Sequence, residues 1–126
     1  MPVPADRRYA QTHEWFKVEG QLVTIGITQF AADELTDITY VGLPAVGRQV
    51  QAGTSIGEIE SVKASSDLYT AVSGVVREVN SRLEGEPELV NHDPFGAGWM
   101  VRLECSDLSP LEKLMDAAAY EKMIAR

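Results

Sequence analysis

The chain has 126 residues, 44% of them apolar and 24% charged, proportions that suit one soluble globular domain with a real core. Its net charge of -8 argues against binding nucleic acid, which requires Lys and Arg to neutralise phosphates, and no apolar run is long enough to cross a bilayer. The single cysteine, Cys105, excludes an intramolecular disulfide and any multi-cysteine metal site.

Residues 1 to 8, with two prolines and two arginines, read as a loose tail without the hydrophobic core of a signal peptide. A bacterial cytoplasmic protein is the simplest expectation, with the mitochondrial matrix as the eukaryotic counterpart. Trp15 to Glu19 and Leu22 to Ile27, on either side of Gly20, form an expected hairpin, and Val23, Ile25 and Ile27 alternate as in a half-buried strand. Thr28 can cap a short helix through Leu35, because Ile27, Ala31 and Leu35 share one face at four-residue spacing. A strand from Ile38 to Leu43 ends at Pro44.

Ile56 to Val62 and Leu68 to Val76 read as two further strands, separated by the small polar run Ala64-Ser65-Ser66-Asp67. Ser and Asp bond their own nearby backbone, so this run is the expected turn, with Lys63 at its entry. Gly57 and Gly74 lie at similar distances on either side, where a strand can bend or approach another backbone closely. Val75 to Asn80 continues as strand, and Arg82 to Glu88 is a polar connection. Trp99, Val101, Leu103 and Cys105 then alternate as a strand, which makes Cys105 a small buried hydrophobe. A catalytic thiol would want a histidine, and nothing in the spacing of His13 or His92 favours one. Ser109-Pro110-Leu111-Glu112 has the form of a capping box, and Asp116 can start a final helix over 117–124. Short strands with small marginal helices indicate one domain over 1–126, a mainly antiparallel β-sandwich or flattened barrel with a helical segment at 109–126.

Glu60-Ser61-Val62-Lys63-Ala64-x-Ser66-Asp67 resembles the lipoylation site of the glycine cleavage H-protein family. The similarity extends through Tyr9 with Thr12-His13-Glu14-Trp15, Val23 to Thr28, Leu35 to Ile38, Leu43-Pro44, Ser73-Gly74, Val79-Asn80, Asn91-x-x-Pro94-Phe95 and Gly98-Trp99. Two positions depart from it: Thr36 stands where the family usually has glycine, and Ala71 where it usually has proline. The neighbours of Lys63 are not the methionines that biotin carriers place there.

The resemblance implies the lipoyl-domain type of sandwich (a barrel-sandwich hybrid) and a carrier, not an enzyme, with lipoic acid joined to Lys63 by an amide bond. The implied partners are a pyridoxal-phosphate glycine decarboxylase, a tetrahydrofolate-dependent aminomethyltransferase, dihydrolipoyl dehydrogenase and lipoyl-attaching enzymes, acting on a chain that is a monomer in isolation. The spacing of Glu60 from Lys63 suggests a recognition feature for the attaching enzyme, the alternative being an ordinary solvated carboxylate. Matching positions suggest a cleft for the loaded arm at Thr12, Glu14 and Asp67, with Ile27 and Leu35 as its apolar wall; the alternative for Glu14 is a surface charge at a strand edge. His13 and Trp15 read as structural. A lipoyl domain of a 2-oxoacid dehydrogenase is the nearest alternative, but the Ala/Pro-rich linker of such domains is missing. A lipoyl donor to other acceptors stays open. A nucleophilic Lys63 would need a depressed pKa, which the nearby Glu60 and Asp67 oppose.

Overall fold

The structure is a computed structural model and describes residues 3–125. Strands β1 (Arg8–Tyr9), β2 (Glu14–Glu19) and β3 (Leu22–Ile27) open the fold. Helix α1 (Gln29–Leu35) follows, then β4 (Ile38–Gly42), β5 (Gln49–Val50), β6 (Ser55–Ser61), β7 (Ser65–Tyr69) and β8 (Gly74–Val79). Two single-turn helices, α2 (Arg82–Gly85) and α3 (Leu89–His92), lead to β9 (Val101–Glu104), a 3-10 turn (Ser109–Lys113) and α4 (Ala117–Ile124). No helix among the described residues is long and apolar enough to cross a membrane.

The strands form two sheets, β1-β2-β3-β9-β8-β5 and β4-β6-β7, in which every pairing is antiparallel. Both remain open at their edges, so the flattened-barrel form of the expectation gives way to a sandwich. Side chains alternate across a strand, and β2 uses both faces. Phe16 joins the main core, with Ile25, Ile59, Leu68 and Leu103, while Trp15 joins a second cluster with Tyr9 and Tyr120. The six-stranded sheet is therefore the middle layer, with the three-stranded sheet on one face and α4 on the other.

Several expected elements form where local chemistry dictates them. Thr28 caps α1 by accepting from Ala31 N–H, and Asp116 caps α4 by accepting from Ala119 N–H at 2.9 Å. Cys105 is buried, and burial pushes its thiol up to about 11. Gly57 and Gly74 are indeed close approaches: a Cβ would stand 2.5 Å from the Gly42 carbonyl oxygen at one and 2.5 Å from that of Glu104 at the other.

Other elements are displaced. The lysine turn comes earlier than expected, at Val62–Ala64, and Ser65, Ser66 and Asp67 lie in β7 paired with Glu60, Ile59 and Glu58. Ser61 does the turning, its hydroxyl accepting from Lys63 N–H (3.2 Å) and Ala64 N–H (3.0 Å). The expected strand Leu68 to Val76 breaks at Thr70, whose hydroxyl bonds both the C=O (2.7 Å) and the N–H (3.2 Å) of Val72, and the chain then crosses to the other sheet as β8. Arg82 to Glu88 contains α2 instead of plain loop. The capping box does not form: Asp107 accepts from the N–H and hydroxyl of Ser109, and the following turn is 3-10. The described tail is tied down from Val3, which packs against the Trp15 cluster, through Pro4, whose carbonyl accepts from the Tyr9 hydroxyl, to Arg7, whose guanidinium lies 4.6 Å from the Trp15 ring and bonds the Phe95 carbonyl at 3.1 Å. Met1 and Pro2 of that expected tail lie outside the described residues.

After α1 the chain turns through Thr36 at φ 63°, ψ -143°, a region that glycine alone enters cheaply. The Asn91 side chain clamps this corner, donating to the Thr36 carbonyl (2.7 Å) and accepting from Ile38 N–H (3.0 Å). Thr36→Gly is expected to stabilise the fold by about 1 kcal/mol, the strain released less the extra chain entropy of glycine. Thermal unfolding checks this; a melting temperature at or below the parent's would mean that Thr36 carries no strain.

Candidate functional site

Lys63 stands at the exposed tip of the β6–β7 hairpin. Several bonds brace the backbone beneath it, among them one from the Ser61 hydroxyl to the Ala64 carbonyl at 3.1 Å. Ser61 N–H donates to the Ala64 carbonyl (2.8 Å), and the Ser61 hydroxyl accepts the two turn amides. Val62 N–H donates to the Asp37 carbonyl (3.1 Å), which ties the tip to the corner that Asn91 clamps. The Lys63 ammonium donates to the Glu34 carbonyl at 3.2 Å, so the end of the side chain rests against the end of α1. An amide nitrogen at that position would keep one N–H for the same acceptor, and the surrounding Val62 and Ala64 are exposed and unhindering. A lysine presented this way can be acylated by a docked enzyme, and the fold fits an amide-linked group there.

Glu14 occupies the start of β2, opposite Ile27. It is not the surface carboxylate that a strand edge would suggest: it is 1% exposed. One carboxylate oxygen accepts from the Thr12 hydroxyl, and the other from Tyr69 N–H at 3.0 Å. The second bond links the two sheets, because Tyr69 closes β7. Burial raises the Glu14 pKa, and the Thr12 and Tyr69 bonds oppose the shift.

The other expected residues distribute unevenly. Thr12, Glu14 and Ile27 come together through the contacts just described, and Leu35 ends α1 in the main core, one residue beyond the carbonyl that Lys63 touches. Asp67 has its bonds on the outer face of the small sheet, from the Ser55 hydroxyl (3.3 Å) and the Tyr69 hydroxyl (3.4 Å). That face borders a shallow recess of about 390 Å³ lined in part by Tyr40, Arg48, Glu58 and Asp67. Glu60 is exposed on the same face, across from Tyr40 and Ser65. Trp15 is buried and its indole N–H donates to the Ile27 and Pro94 carbonyls, as a structural residue should. Sequence reasoning missed the parts played by Ser61, Asn91 and Tyr120. The last carried a signal, one aromatic in an otherwise alanine-rich first turn of α4.

Because folded Glu14 holds its proton more tightly than the unfolded chain does, its ionisation costs stability. Its contribution is intact below the ordinary Glu range and is lost as pH rises through the raised folded value. Glu14→Gln can keep both bonds, since the amide oxygen accepts from Tyr69 N–H and the NH2 donates to Thr12. The variant is therefore expected to melt above the parent at pH 7, with the gap closing below about pH 4. A lower melting temperature for the variant at pH 7 would contradict the burial cost.

The family model for the glycine cleavage H-protein matches residues 7–126. A glycine cleavage system H protein of Symbiobacterium thermophilum is 51% identical over 119 residues, covering 94% of this chain and 93% of that one. That of Nitratidesulfovibrio vulgaris is 50% identical over 126 residues, covering 100% and 98%. Among solved structures, a glycine cleavage system H protein from Mycobacterium marinum superposes with a TM-score of 0.88 at 37% identity, over 96% of this chain and 98% of that one. With the hairpin lysine, the buried carboxylate and the two-sheet frame all present, the chain belongs to the glycine cleavage H-protein family.

Proposed function

We propose that this protein is the lipoyl carrier of a glycine cleavage system, with Lys63 as the attachment point and the Thr12–Glu14 pair as the resting place of the loaded arm's amine. The observation that carries this reading is the Lys63 tip: an exposed amine on a loop whose backbone is fixed by Ser61 and Asp37. The chain is a carrier and not a catalyst. Lipoic acid, once attached, supplies the dithiolane that takes up and carries a one-carbon amine fragment.

The protein's own residues supply attachment, orientation and protection. Acylation of Lys63 replaces an ammonium by a neutral amide whose N–H the Glu34 carbonyl can still accept, so the root of the arm keeps its direction. A rigid hairpin under a flexible tether keeps the carried end at high local concentration near whichever enzyme has docked. Glu14, held by Thr12 and Tyr69, offers a negative charge to a cationic amine in a place that burial keeps dry. Ile27 and Leu35 give that place apolar walls. Asp67, bonded to Ser55 and Tyr69, acts from the other side of β7, where it can hold the Tyr69 side chain whose amide serves Glu14. The exposed Glu60 carboxylate, three residues before Lys63, is a handle for the lipoyl-attaching enzyme.

The partners in this reading are a pyridoxal-phosphate glycine decarboxylase that loads the carrier, a tetrahydrofolate-dependent aminomethyltransferase that unloads it, and dihydrolipoyl dehydrogenase that returns it to the disulfide. The net acidity of the chain suits reversible visits to several enzymes. Its place of work is the bacterial cytoplasm.

In a reconstituted system, Lys63→Arg is expected to abolish glycine breakdown while leaving the melting temperature unchanged. Arginine keeps the positive charge but offers no amine for an ordinary amide bond. Breakdown at the parent's rate would end the proposal. Glu60→Ala is expected to slow lipoylation of Lys63, measured by mass spectrometry against time, without altering the fold. An unchanged rate would reduce Glu60 to an ordinary solvated carboxylate.

A further inference from the structure

The C-terminal helix reaches the site through one hydroxyl. Tyr120 is fully buried, stacked on Tyr9 with ring centroids 4.9 Å apart. Its oxygen lies 2.7 Å from His13 Nδ1 and 2.7 Å from Thr28 Oγ1. Thr28 and His13 are also joined directly, by Thr28 N–H donating to the His13 carbonyl at 3.0 Å. The three residues close a triangle between α4, the cap of α1 and the turn that precedes β2.

Proton counting gives the triangle a direction. The Thr28 oxygen already accepts from Ala31 N–H, and as Thr28 is 0% exposed its own proton needs a buried acceptor. The Tyr120 oxygen is that acceptor. The Tyr120 proton then goes to His13 Nδ1, which must be unprotonated. Burial favours this neutral form of His13, with the Glu34 charge opposing in part.

His13 needs such a hold. Its φ is +76°, a left-handed conformation that costs a residue with a side chain roughly 1–2 kcal/mol. Its N–H bonds the Ala10 carbonyl at 3.0 Å, and its ring packs 4.9 Å from Phe30 and edge-on to Tyr120 at 5.7 Å. His13 stands between Thr12 and Glu14. Side chains of successive residues leave in opposite directions here: His13 meets α4, while Glu14 meets β7. Turning His13 back to an ordinary φ would swing the Glu14 carboxylate off Tyr69 N–H. The Glu14 charge is near enough to add to burial in holding the Tyr120 hydroxyl above the usual phenol range.

We propose that the Tyr120 hydroxyl is a positioning group for Glu14: from the C-terminal helix it holds His13 in its left-handed turn and so keeps the neighbouring carboxylate seated and dry. This rests on the reading of Glu14 as the amine's resting place and extends it to a residue on the opposite face of the sheet. Tyr120 acts through His13 and touches no cargo. The carrier's C-terminal helix is thereby part of the site and not only a cover for the Trp15 cluster.

The test begins with the unmodified chain, labelled with carbon-13, and follows the Glu14 carboxyl signal against pH. Tyr120→Phe keeps the stack on Tyr9 and removes only the hydroxyl. The Glu14 pKa is expected to fall toward the ordinary value as the carboxylate loosens into water. His13→Asn, which tolerates a left-handed backbone but gives up the ring nitrogen, is expected to do the same, and the double variant no more than either single one. Tyr9→Phe removes a hydroxyl from the same stack, one bonded to the Pro4 carbonyl, and is expected to leave the titration unchanged. In lipoylated protein loaded from glycine, Tyr120→Phe is then expected to release ammonia several-fold faster than the parent.

A Glu14 titration in Tyr120→Phe that matches the parent's overturns the proposal. So does an equal shift in Tyr9→Phe, which would mark general loosening. Glu14→Gln, measured alongside, separates the two readings. Ammonia release at the parent's rate in Glu14→Gln overturns the role of the carboxylate itself, and faster release there with none in Tyr120→Phe overturns only the role of the tyrosine.

Discussion

One buried carboxylate ties the molecule together. Glu14 belongs to the six-stranded sheet and bonds the backbone of Tyr69 in the three-stranded sheet, so it fixes the strand that leaves the Lys63 hairpin. Alone, a buried charge is a poor way to join two sheets, since removing it from water costs more than a pair of hydrogen bonds returns. Its raised pKa records that cost. The proposed carrier role gives this arrangement a purpose: a carboxylate already desolvated and already oriented needs no reorganisation to receive an ammonium.

The hairpin solves the opposite problem. Its lysine must be open to enzymes that differ in shape, yet its root must not wander. Ser61 closes the turn from within, and Asp37 holds it from the adjoining corner, which Asn91 in turn clamps from α3. Thr36 sits in that corner in a backbone conformation suited to glycine. Strain of this kind persists only where surrounding bonds over-determine the chain, and the Asn91 clamp provides them. Rigidity is thus concentrated at the base of Lys63, while its exposed side chain is held only at its end, by the bond from the ammonium to the Glu34 carbonyl.

Much of this was legible in the residues, and what was not has a common cause. The β2–β3 hairpin, α1 and α4 follow from alternation, four-residue spacing and side-chain caps, all of them local. The lysine and its acidic neighbour were legible through resemblance. The turn was misplaced because Ser65, Ser66 and Asp67 have turn chemistry of their own, which pairing with Glu60, Ile59 and Glu58 overrides. The Leu68 to Val76 run looks like one strand because nothing in its pattern says that it changes sheets at Thr70. Arg7 looks like tail until Trp15 supplies a ring for it to lie on. The burial of Glu14 and the reach of Tyr120 depend on partners 55 and 107 positions away, beyond any local rule.

The central claim is that Lys63 is the attachment point of a lipoyl group. Intact mass and peptide mapping of the protein taken from its own cells, growing on glycine, test it most directly. The expected result is an increment of one lipoyl group located on the peptide that contains Lys63. An unmodified Lys63 in cells breaking down glycine, or the increment on Lys17, Lys113 or Lys122 instead, would contradict it.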